Sequence, residues 1–438
     1  MDYFVVRGGK KLSGTVTVNT SKNAAVALVM GALINRGKTT LRNVPQIEEI
    51  ARLSEVLKSI GVSIKRHGHH LEIQPPQRFT LRKLDRRAAM RTRSIIFLLP
   101  LLARFFKTYK IPQSGGCRLG ARTVAPHTYM LVHFGINITA TRTDFSVKAS
   151  LHAPSEIITL YESGDTVTEN ALFAAAQVSG RTEIHMASAN YMVQDICFFL
   201  QKLGVKISGI GTTTLVVEGC TDINKDVVYE VSEDPVEAMF FISAAITTKS
   251  KLTIARCPIA FLELELEKLR HMNLHFTLTE RYKARNRKTD LVDITVYPSR
   301  LKAVSEKIYG RPFPGVNIDN VPFFAPIAAI AKGRTLIHDW VYENRAIYFT
   351  ELSRLGVRVT LLDPHRVYIE GPTKLHPAEM MSPPALRPAA IILVAMLGAK
   401  GESRLRNVYQ INRGYENLTE RLRAIGADIE LIHEKCAV

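Results

Sequence analysis

One phrase recurs six times along the 438-residue chain and constrains its fold more than any other feature. Each copy joins a helix-like segment to a strand-like segment through a short turn, and the copies follow one another at about 70 residues. They read VLKSIGVSI, LVHFGINI, FLQKLGVKI, KLRHMNLHF, LSRLGVRV and RLRAIGADI. A unit of this length is too long for a standard solenoid. The chain is therefore predicted to form two globular domains with three repeats each.

The residue at each turn predicts its backbone conformation. Glycine adopts a positive φ at the end of a helix without steric cost, and asparagine is the next most tolerant residue there. The six turn residues are Gly61, Gly135, Gly204, Asn273, Gly356 and Gly426. We expect all six to end a helix in the left-handed conformation.

Each repeat also begins with a helix-like segment that is apolar on nearly all faces, such as ALFAAAQV (171–178) and AMFFISAAI (238–246). Such helices are buried, whereas the second, amphipathic helix of each repeat faces solvent. The predicted unit is helix–strand–helix–strand, with helices inside and sheets outside. This arrangement reverses the layering of most α/β folds.

Composition limits the class of protein and of partner. Hydrophobic residues make up 46% and charged residues 22%, which excludes disordered and collagen-like chains. The net charge of +18 favours an anionic partner, whether nucleic acid, an anionic membrane or a phosphorylated small molecule.

The five cysteines are scattered and form no CxxC pair, so we expect neither a disulfide framework nor a zinc site. The start, MDYFVVRGGKK, lacks the apolar core of a signal peptide. The longest apolar run, AAIILVAMLGA (389–399), is too short to span a bilayer and is predicted to be a buried helix. The scattered cysteines and the start of the sequence predict a cytoplasmic protein, and the short apolar run predicts no membrane insertion.

One cysteine has reactive surroundings. In SGGCRLGAR (114–122), Cys117 follows two glycines and lies near Arg118 and Arg122. Neighbouring cations lower the pKa of a thiol, which suits it to act as a nucleophile or a general acid. The other cysteines lie in apolar or terminal segments and are predicted to be structural.

Six short blocks in order give the chain a family resemblance: SKNAA (21–25), GGCRLGAR (115–122), FPGVNID (313–319), ENR (343–345), LR (386–387) and INRGYE (411–416). Together they resemble the UDP-N-acetylglucosamine enolpyruvyl transferases, from Phe4 to about Glu430. The sister family that makes enolpyruvylshikimate phosphate is disfavoured, because its GNAGT-type signature is absent. The resemblance implies a two-domain inside-out α/β barrel. Residues 1–21 and 234–438 would form one domain and residues 22–233 the other, with the active site in the cleft between them.

The resemblance implies an activity as well. The enzyme would transfer the enolpyruvyl group of phosphoenolpyruvate to the 3-hydroxyl of UDP-N-acetylglucosamine and release phosphate, the first committed step of peptidoglycan synthesis. It would use no cofactor and no metal, and nucleic acid is not an expected partner. Catalytic roles would fall to Cys117 (general acid and target of fosfomycin), Asp319 (acceptor of the sugar proton), Lys22 and Arg413. Substrate binding would fall to Asn23, Arg91, Arg122, Arg345 and Arg387.

Some positions depart from the family pattern. The family's MRAS-like block reads MRTRS (90–94) here, so Arg93 is an alternative to Arg91. Ala385 stands where the family has an aspartate, and stretches 123–126 and 164–166, which contact uridine diphosphate in the family, differ. A related nucleotide sugar or another acceptor, or a catalytically inactive relative with a binding role, therefore stays an alternative.

Two polar stretches are predicted to be hairpins. HGHH (67–70) lies between strand-like runs and has no adjacent carboxylate or cysteine, so a turn is favoured over a metal site. RYKARNRKTD (281–290) falls in the longest repeat and is predicted to be a solvated insertion.

Overall fold

The computed structural model describes residues 2–113 and 123–433. These residues divide into two compact units. The first unit comprises residues 2–19 and 233–433, and the second comprises residues 20–113 and 123–232. Strands β1–β24 and helices α1–α13 are numbered along the chain.

The described part of the first unit contains three sheets. In order across each sheet, the strands are β22 (Glu379–Met381), β23 (Gly401–Arg406), β1 (Tyr3–Gly8) and β24 (Ile429–Ile432); β15 (Phe276–Leu278), β17 (Asp290–Val296), β14 (Leu252–Pro258) and β2 (Thr15–Thr17), with β16 (Tyr282–Lys283) beside β17; and β18 (Ile308–Tyr309), β19 (Gly333–His338), β21 (Arg366–Gly371) and β20 (Arg358–Asp363). Its α-helices are α8 (Pro235–Thr247), α9 (Glu263–His271), α10 (Phe324–Ile330), α11 (Leu386–Gly398), α12 (Tyr409–Gly414) and α13 (Leu418–Ala424). Its 3₁₀ helices are Ile259–Phe261, Val321–Phe323 and Ala346–Leu355.

The described part of the second unit also contains three sheets. Their strands, in order, are β13 (Val227–Glu230), β3 (Thr39–Arg42), β5 (His70–Gln74) and β4 (Ser63–His67); β6 (Thr108–Pro112), β8 (Asp144–Ala149) and β7 (Ile136–Ala140); and β11 (Lys206–Ser208), β12 (Thr214–Gly219), β10 (Gly180–His185) and β9 (Ile158–Thr159). Its α-helices are α1 (Lys22–Gly31), α2 (Glu48–Ser59), α3 (Arg86–Ala89), α4 (Leu98–Leu101), α5 (Ala125–Leu131), α6 (Asp165–Ala176) and α7 (Tyr191–Leu203). Its 3₁₀ helices are Ala32–Ile34, Leu81–Lys83, Arg93–Phe97 and Val132–Phe134.

One sheet plan recurs, as the sequence repeat predicts. In five sheets an edge strand pairs in parallel with its neighbour, and the remaining pairs are antiparallel. At the opposite edge of most sheets, an antiparallel hairpin from a single repeat supplies the last two strands. In one sheet, for example, β5 lies between β3 and the edge strand β4. The last repeat instead places β1, from the start of the chain, between β23 and β24. The two ends of the chain are thereby joined in one sheet.

The first helices of the repeats are buried, as predicted. Every residue of α8 is buried, and α8 packs against α10 and α11. In the second unit, α6 packs against α4, α5 and α7. The second helices differ. In α2 the buried residues are Glu49, Ile50, Leu53, Val56 and Leu57, and the opposite face is open to solvent. In α7 nine of the 13 residues are buried, so the prediction that the second helix faces solvent is wrong for this repeat. Strands such as β5 alternate buried and more exposed residues, so one face of the sheet is open to solvent.

All six predicted turn residues adopt a positive φ. The angles are 101° at Gly61, 72° at Gly135, 102° at Gly204, 69° at Asn273, 87° at Gly356 and 96° at Gly426. The chain reverses at each of these residues after the second helix of its repeat, so the prediction is confirmed at every repeat.

The two polar stretches form hairpins, as predicted. HGHH connects β4 to β5, which pair from Ser63 opposite Gln74 to His67 opposite His70. The 281–290 stretch places β16 beside β17. Within residues 2–113 and 123–433, no helix is long and apolar enough to cross a membrane.

Gly426 allows the cost of the turn conformation to be measured without a steric clash. A Cβ atom added there would meet only the Lys11 carbonyl oxygen, at an ordinary 3.5 Å. We expect Gly426→Ala to lower the free energy of unfolding by about 1–2 kcal/mol, because the left-handed conformation is costly for alanine. Gly426→Asn should cost less, since Asn273 adopts the same conformation. Urea unfolding of the three proteins tests this order, and equal midpoints would contradict it.

Candidate active site

The structure distributes the predicted site residues over both units. Asp319, Arg345, Arg387 and Arg413 lie in the first unit, and Lys22, Asn23 and Arg91 lie in the second. Cys117 and Arg122 lie outside the described residues.

In the first unit, Asp319 lies between two arginines. Arg345 Nη1 donates to Asp319 Oδ1 at 3.4 Å, and Arg387 Nη2 donates to Asp319 Oδ2 at 3.3 Å. The Asp319 backbone N–H donates to Asn317 Oδ1 at 2.9 Å, which fixes the loop before the 3₁₀ helix Val321–Phe323. The three residues come from sequence blocks far apart in the chain, and the fold brings them together.

Arg345 is almost completely buried, with 1% of its side chain exposed. Its Nε and Nη2 atoms donate to the two carboxylate oxygens of Asp339 at 2.5 and 2.7 Å, and Nη2 also donates to the Ile318 carbonyl oxygen. Its guanidinium carbon lies 4.3 Å from the centre of the Tyr342 ring. Burial alone would lower the pKa of Arg345, but the charge and hydrogen bonds of Asp339 raise it. The guanidinium is therefore held in its charged form.

Arg387 is the second residue of α11 and is also buried. Its Nη1 atom donates to the hydroxyl oxygen of Tyr415 at 2.9 Å. Burial raises the pKa of Tyr415, although the Arg387 cation opposes this shift, so the hydroxyl stays neutral. Arg413 lies in α12, two residues before Tyr415, and is half-buried.

Sequence reasoning missed three residues of this cluster: Asp339, Glu265 and Tyr415. Glu265, on α9, is buried, and its Oε1 atom accepts from the Asn317 N–H at 2.9 Å and from Asn320 Nδ2 at 2.8 Å. It thus anchors both sides of Asp319. Tyr415 belongs to the INRGYE block and could have been noticed there. Asp339 and Glu265 belong to no quoted block, and an acidic residue at the end of a strand or on a solvent-facing helix gives no signal.

In the second unit, Lys22 and Asn23 begin α1. The helix starts here because Ser21 caps it: its side chain accepts from the Ala24 N–H at 3.2 Å. Asn23 Nδ2 donates to the hydroxyl oxygen of Tyr191 at 3.2 Å, while Lys22 is half-buried. The unpaired N–H groups of a helix start give positive potential, which adds to the charge of Lys22 and favours anion binding.

The two candidate arginines of the MRTRS block are placed differently. Arg91 is exposed, whereas Arg93 is half-buried, and its Nη2 atom donates to the Thr123 carbonyl oxygen at 3.4 Å. Thr123 directly follows Arg122 in the chain. Arg93 is therefore the one with a contact to the altered 123–126 stretch.

A buried histidine lies near the same stretch. Asn170 Nδ2 donates to His127 Nδ1 at 2.9 Å, which places the ring proton on Nε2. Burial, with a smaller effect from Arg93, lowers the pKa of His127 to about 3.

The altered 164–166 stretch begins α6, where Asp165 accepts from Ser188 Oγ at 2.6 Å and from Asn190 Nδ2 at 3.2 Å. Within the described ranges, no three acidic, histidine or cysteine side chains are grouped to hold a metal ion.

The buried neutral His127 predicts an acid sensitivity of folding. Because its folded pKa lies below the ordinary value of about 6.5, the unfolded chain binds the extra proton first. Above pH 6.5 the neutral His127 makes its full contribution to the free energy of unfolding. As the pH falls from 6.5 toward 3, the free energy of unfolding decreases by up to about 1.4 kcal/mol per pH unit. Urea unfolding between pH 8 and 5 should show a shallower dependence for His127→Gln. The exposed His70→Gln should keep the wild-type slope, and equal slopes for wild type and His127→Gln would contradict the prediction.

Ala385 leaves the start of α11 without a side-chain cap. It has the extended backbone typical of a cap residue (φ −131°, ψ 140°), but its methyl group accepts no hydrogen bond. We expect Ala385→Asn and Ala385→Asp to raise the free energy of unfolding by about 1 kcal/mol each, by accepting from the Arg387 N–H. Thermal unfolding measures the gain. A loss in both variants would mean that the space around the buried Ala385 is too small for a larger side chain.

Comparison with known proteins places these features in a family. The profile of EPSP synthase (3-phosphoshikimate 1-carboxyvinyltransferase) matches residues 6–422. UDP-N-acetylglucosamine 1-carboxyvinyltransferases from Treponema denticola and Bradyrhizobium diazoefficiens are each 33% identical to the chain. The first match covers 98% of this chain and 99% of the relative, and the second covers 99% and 98%.

Solved structures share the fold. The enolpyruvyl transferase NikO from Streptomyces tendae superposes with a TM-score of 0.85 at 24% identity, covering 98% of this chain and 99% of its own. EPSP synthase from Acinetobacter baumannii gives a TM-score of 0.77 at 20% identity, covering 99% and 100%. With the near full-length sequence matches, these findings show that the chain belongs to the enolpyruvyl transferase family of EPSP synthase and UDP-N-acetylglucosamine 1-carboxyvinyltransferase.

Proposed function

We propose that the chain transfers the enolpyruvyl group of phosphoenolpyruvate to the 3-hydroxyl of UDP-N-acetylglucosamine and releases phosphate. The observation that carries this proposal is the near full-length similarity to relatives named for that activity, 33% identical in the two compared above. Those names favour this acceptor over another nucleotide or sugar, and they also disfavour an inactive relative. The enzyme would act in the cytoplasm, in the first committed step of peptidoglycan synthesis.

Asp319 is the proposed base. It would take the proton of the sugar 3-hydroxyl as the hydroxyl oxygen bonds to C2 of phosphoenolpyruvate. Arg345 and Arg387 favour the charged carboxylate that a base requires. Their contacts of 3.4 and 3.3 Å are long for charge-assisted hydrogen bonds, so the carboxylate can still accept a hydroxyl.

Cys117 is the proposed acid. It would donate a proton to C3 of phosphoenolpyruvate as the C2–O bond forms, which gives a tetrahedral ketal. Loss of a proton from C3 and departure of phosphate from C2 would then restore the double bond. Phosphoenolpyruvate carries a phosphate and a carboxylate on a small frame, so several cations must meet it. Lys22, Arg122 and Arg413 are proposed for this role, Arg91 or Arg93 for a further contact, and Asn23 for the sugar.

Phosphate release tests the proposal. Wild-type protein with phosphoenolpyruvate and UDP-N-acetylglucosamine should release phosphate, and fosfomycin should abolish this by modifying Cys117. Asp319→Asn should lower kcat at least about 100-fold, because general base catalysis is lost. Cys117→Ser should resist modification by fosfomycin.

The exposed Tyr129→Phe serves as the control and should keep kcat within about twofold, since it removes only a hydroxyl from the surface. Release with a different nucleotide sugar alone would replace the proposed acceptor. No release with any acceptor in a panel would contradict the transferase activity.

A further inference from the structure

We propose that Asp339 is a positioning residue that sets the contact between Arg345 and Asp319. The inference rests on the proposed function, because it concerns the proposed base. Asp339 directly follows β19, and its side chain is 2% exposed. Its backbone N–H donates to the His365 carbonyl oxygen at 2.8 Å, so the residue is fixed at the end of the sheet.

The hydrogen bonds of Arg345 show what Asp339 does. Nε and Nη2 face Asp339 in a two-point ion pair, and Nη2 also reaches the Ile318 carbonyl oxygen. A guanidinium is planar and rigid, so two bonds along one edge fix the direction of its remaining N–H groups. Only Nη1 is then directed at Asp319, through one long contact of 3.4 Å.

A carboxylate is needed at position 339 for electrostatic reasons. The Arg345 guanidinium is buried, so losing Asp339 would leave a cation without its nearest anion. Asp319 is the next carboxylate in contact, and the freed guanidinium would turn toward it. A tight two-point pair with Arg345 would occupy the oxygens that must accept the sugar proton. Asp339 therefore keeps Arg345 from inactivating the base.

The opposite side of Asp319 shows a different solution. Arg387 is oriented by the Tyr415 hydroxyl, which is neutral, and by its place at the start of α11. At the corresponding edge of Arg345, Nε and Nη2 each donate to a carboxylate oxygen of Asp339 instead of to a neutral hydroxyl. A two-point contact with a carboxylate is thus found at Arg345, whereas the buried Asp234 interacts with Arg387 through its charge.

The first test is Asp339→Asn in the proposed reaction. We expect kcat to fall at least tenfold with both KM values within about threefold, since Lys22, Arg122 and Arg413, the groups proposed to bind phosphoenolpyruvate, are unchanged. The acid limb of the kcat/KM profile should move to lower pH, because Arg345 would then favour the charged form of Asp319 more strongly. Unchanged kcat and an unchanged acid limb in the folded variant would overturn the inference.

Two variants separate positioning from stability. Asp339→Glu keeps the charge but shifts the guanidinium, so we expect a smaller loss of kcat and an acid limb at the wild-type pH. If Asp339→Asn does not fold, loss of kcat in Asp339→Glu decides the question. Asp195→Asn is the matched control: this carboxylate is 1% exposed and accepts from Ser232 and Tyr229 in the second unit. It should lower stability and leave kcat and the acid limb unchanged.

A structural readout works without turnover. In ¹⁵N-arginine-labelled protein, the Arg345 Nε–H should exchange slowly with solvent, and its signal is assigned by its absence in Arg345→Lys. In Asp339→Asn we expect exchange at least tenfold faster. If wild type releases no phosphate, the proposed function fails while this exchange still tests the positioning. Equal exchange in the two proteins would overturn the inference even for an active enzyme.

Discussion

The buried ion pair between Arg345 and Asp339 is the interaction on which the arrangement around Asp319 depends. It fixes one edge of a guanidinium whose remaining N–H groups reach Asp319 and the Ile318 backbone. Replacing a buried pair of this kind with apolar residues is often neutral or favourable for stability. Its position beside Asp319 therefore points to a role in orienting Arg345 rather than in stabilising the fold.

The repeat explains why chemistry-bearing residues lie where they do. Polar residues mark the starts of the buried first helices: Lys22 opens α1, Asp165 opens α6, and Arg387 is the second residue of α11. A helix that is apolar on nearly all faces carries a charged group at least cost at its ends, and burial raises the pKa of Glu169 within α6, which favours its neutral form. The ends also have backbone N–H groups without helical partners, which suit anionic ligands. In each unit a buried core helix thus carries a polar candidate residue in its first turn, Lys22 in α1 and Arg387 in α11.

The sequence predicted the parts of the fold that leave a periodic signal. Positive φ at Gly61 and Asn273 follows from residue type at a fixed place in each repeat. Burial of α8 follows from its unbroken apolar composition. The insertion of β1 between β23 and β24 could not be predicted in this way, because the pairing joins the two ends of the chain and no local pattern records it.

In the candidate site, too, the sequence predicted the residues that belong to a local pattern and missed those that depend on distant partners. Asp319, Arg345 and Arg387 were predicted from short blocks, and the structure brings them into contact. Asp339 and Glu265 were missed because their function depends on partners that are distant in sequence: Glu265 lies on α9, yet it binds the loop at Asn317 and Asn320. A lone acidic residue in a strand or helix has the same appearance whether it is solvated or buried against an arginine. Residues that orient a catalytic group are therefore harder to read from one sequence than the group itself. They are also the residues at which a conservative change, such as Asp339→Glu, separates geometry from charge.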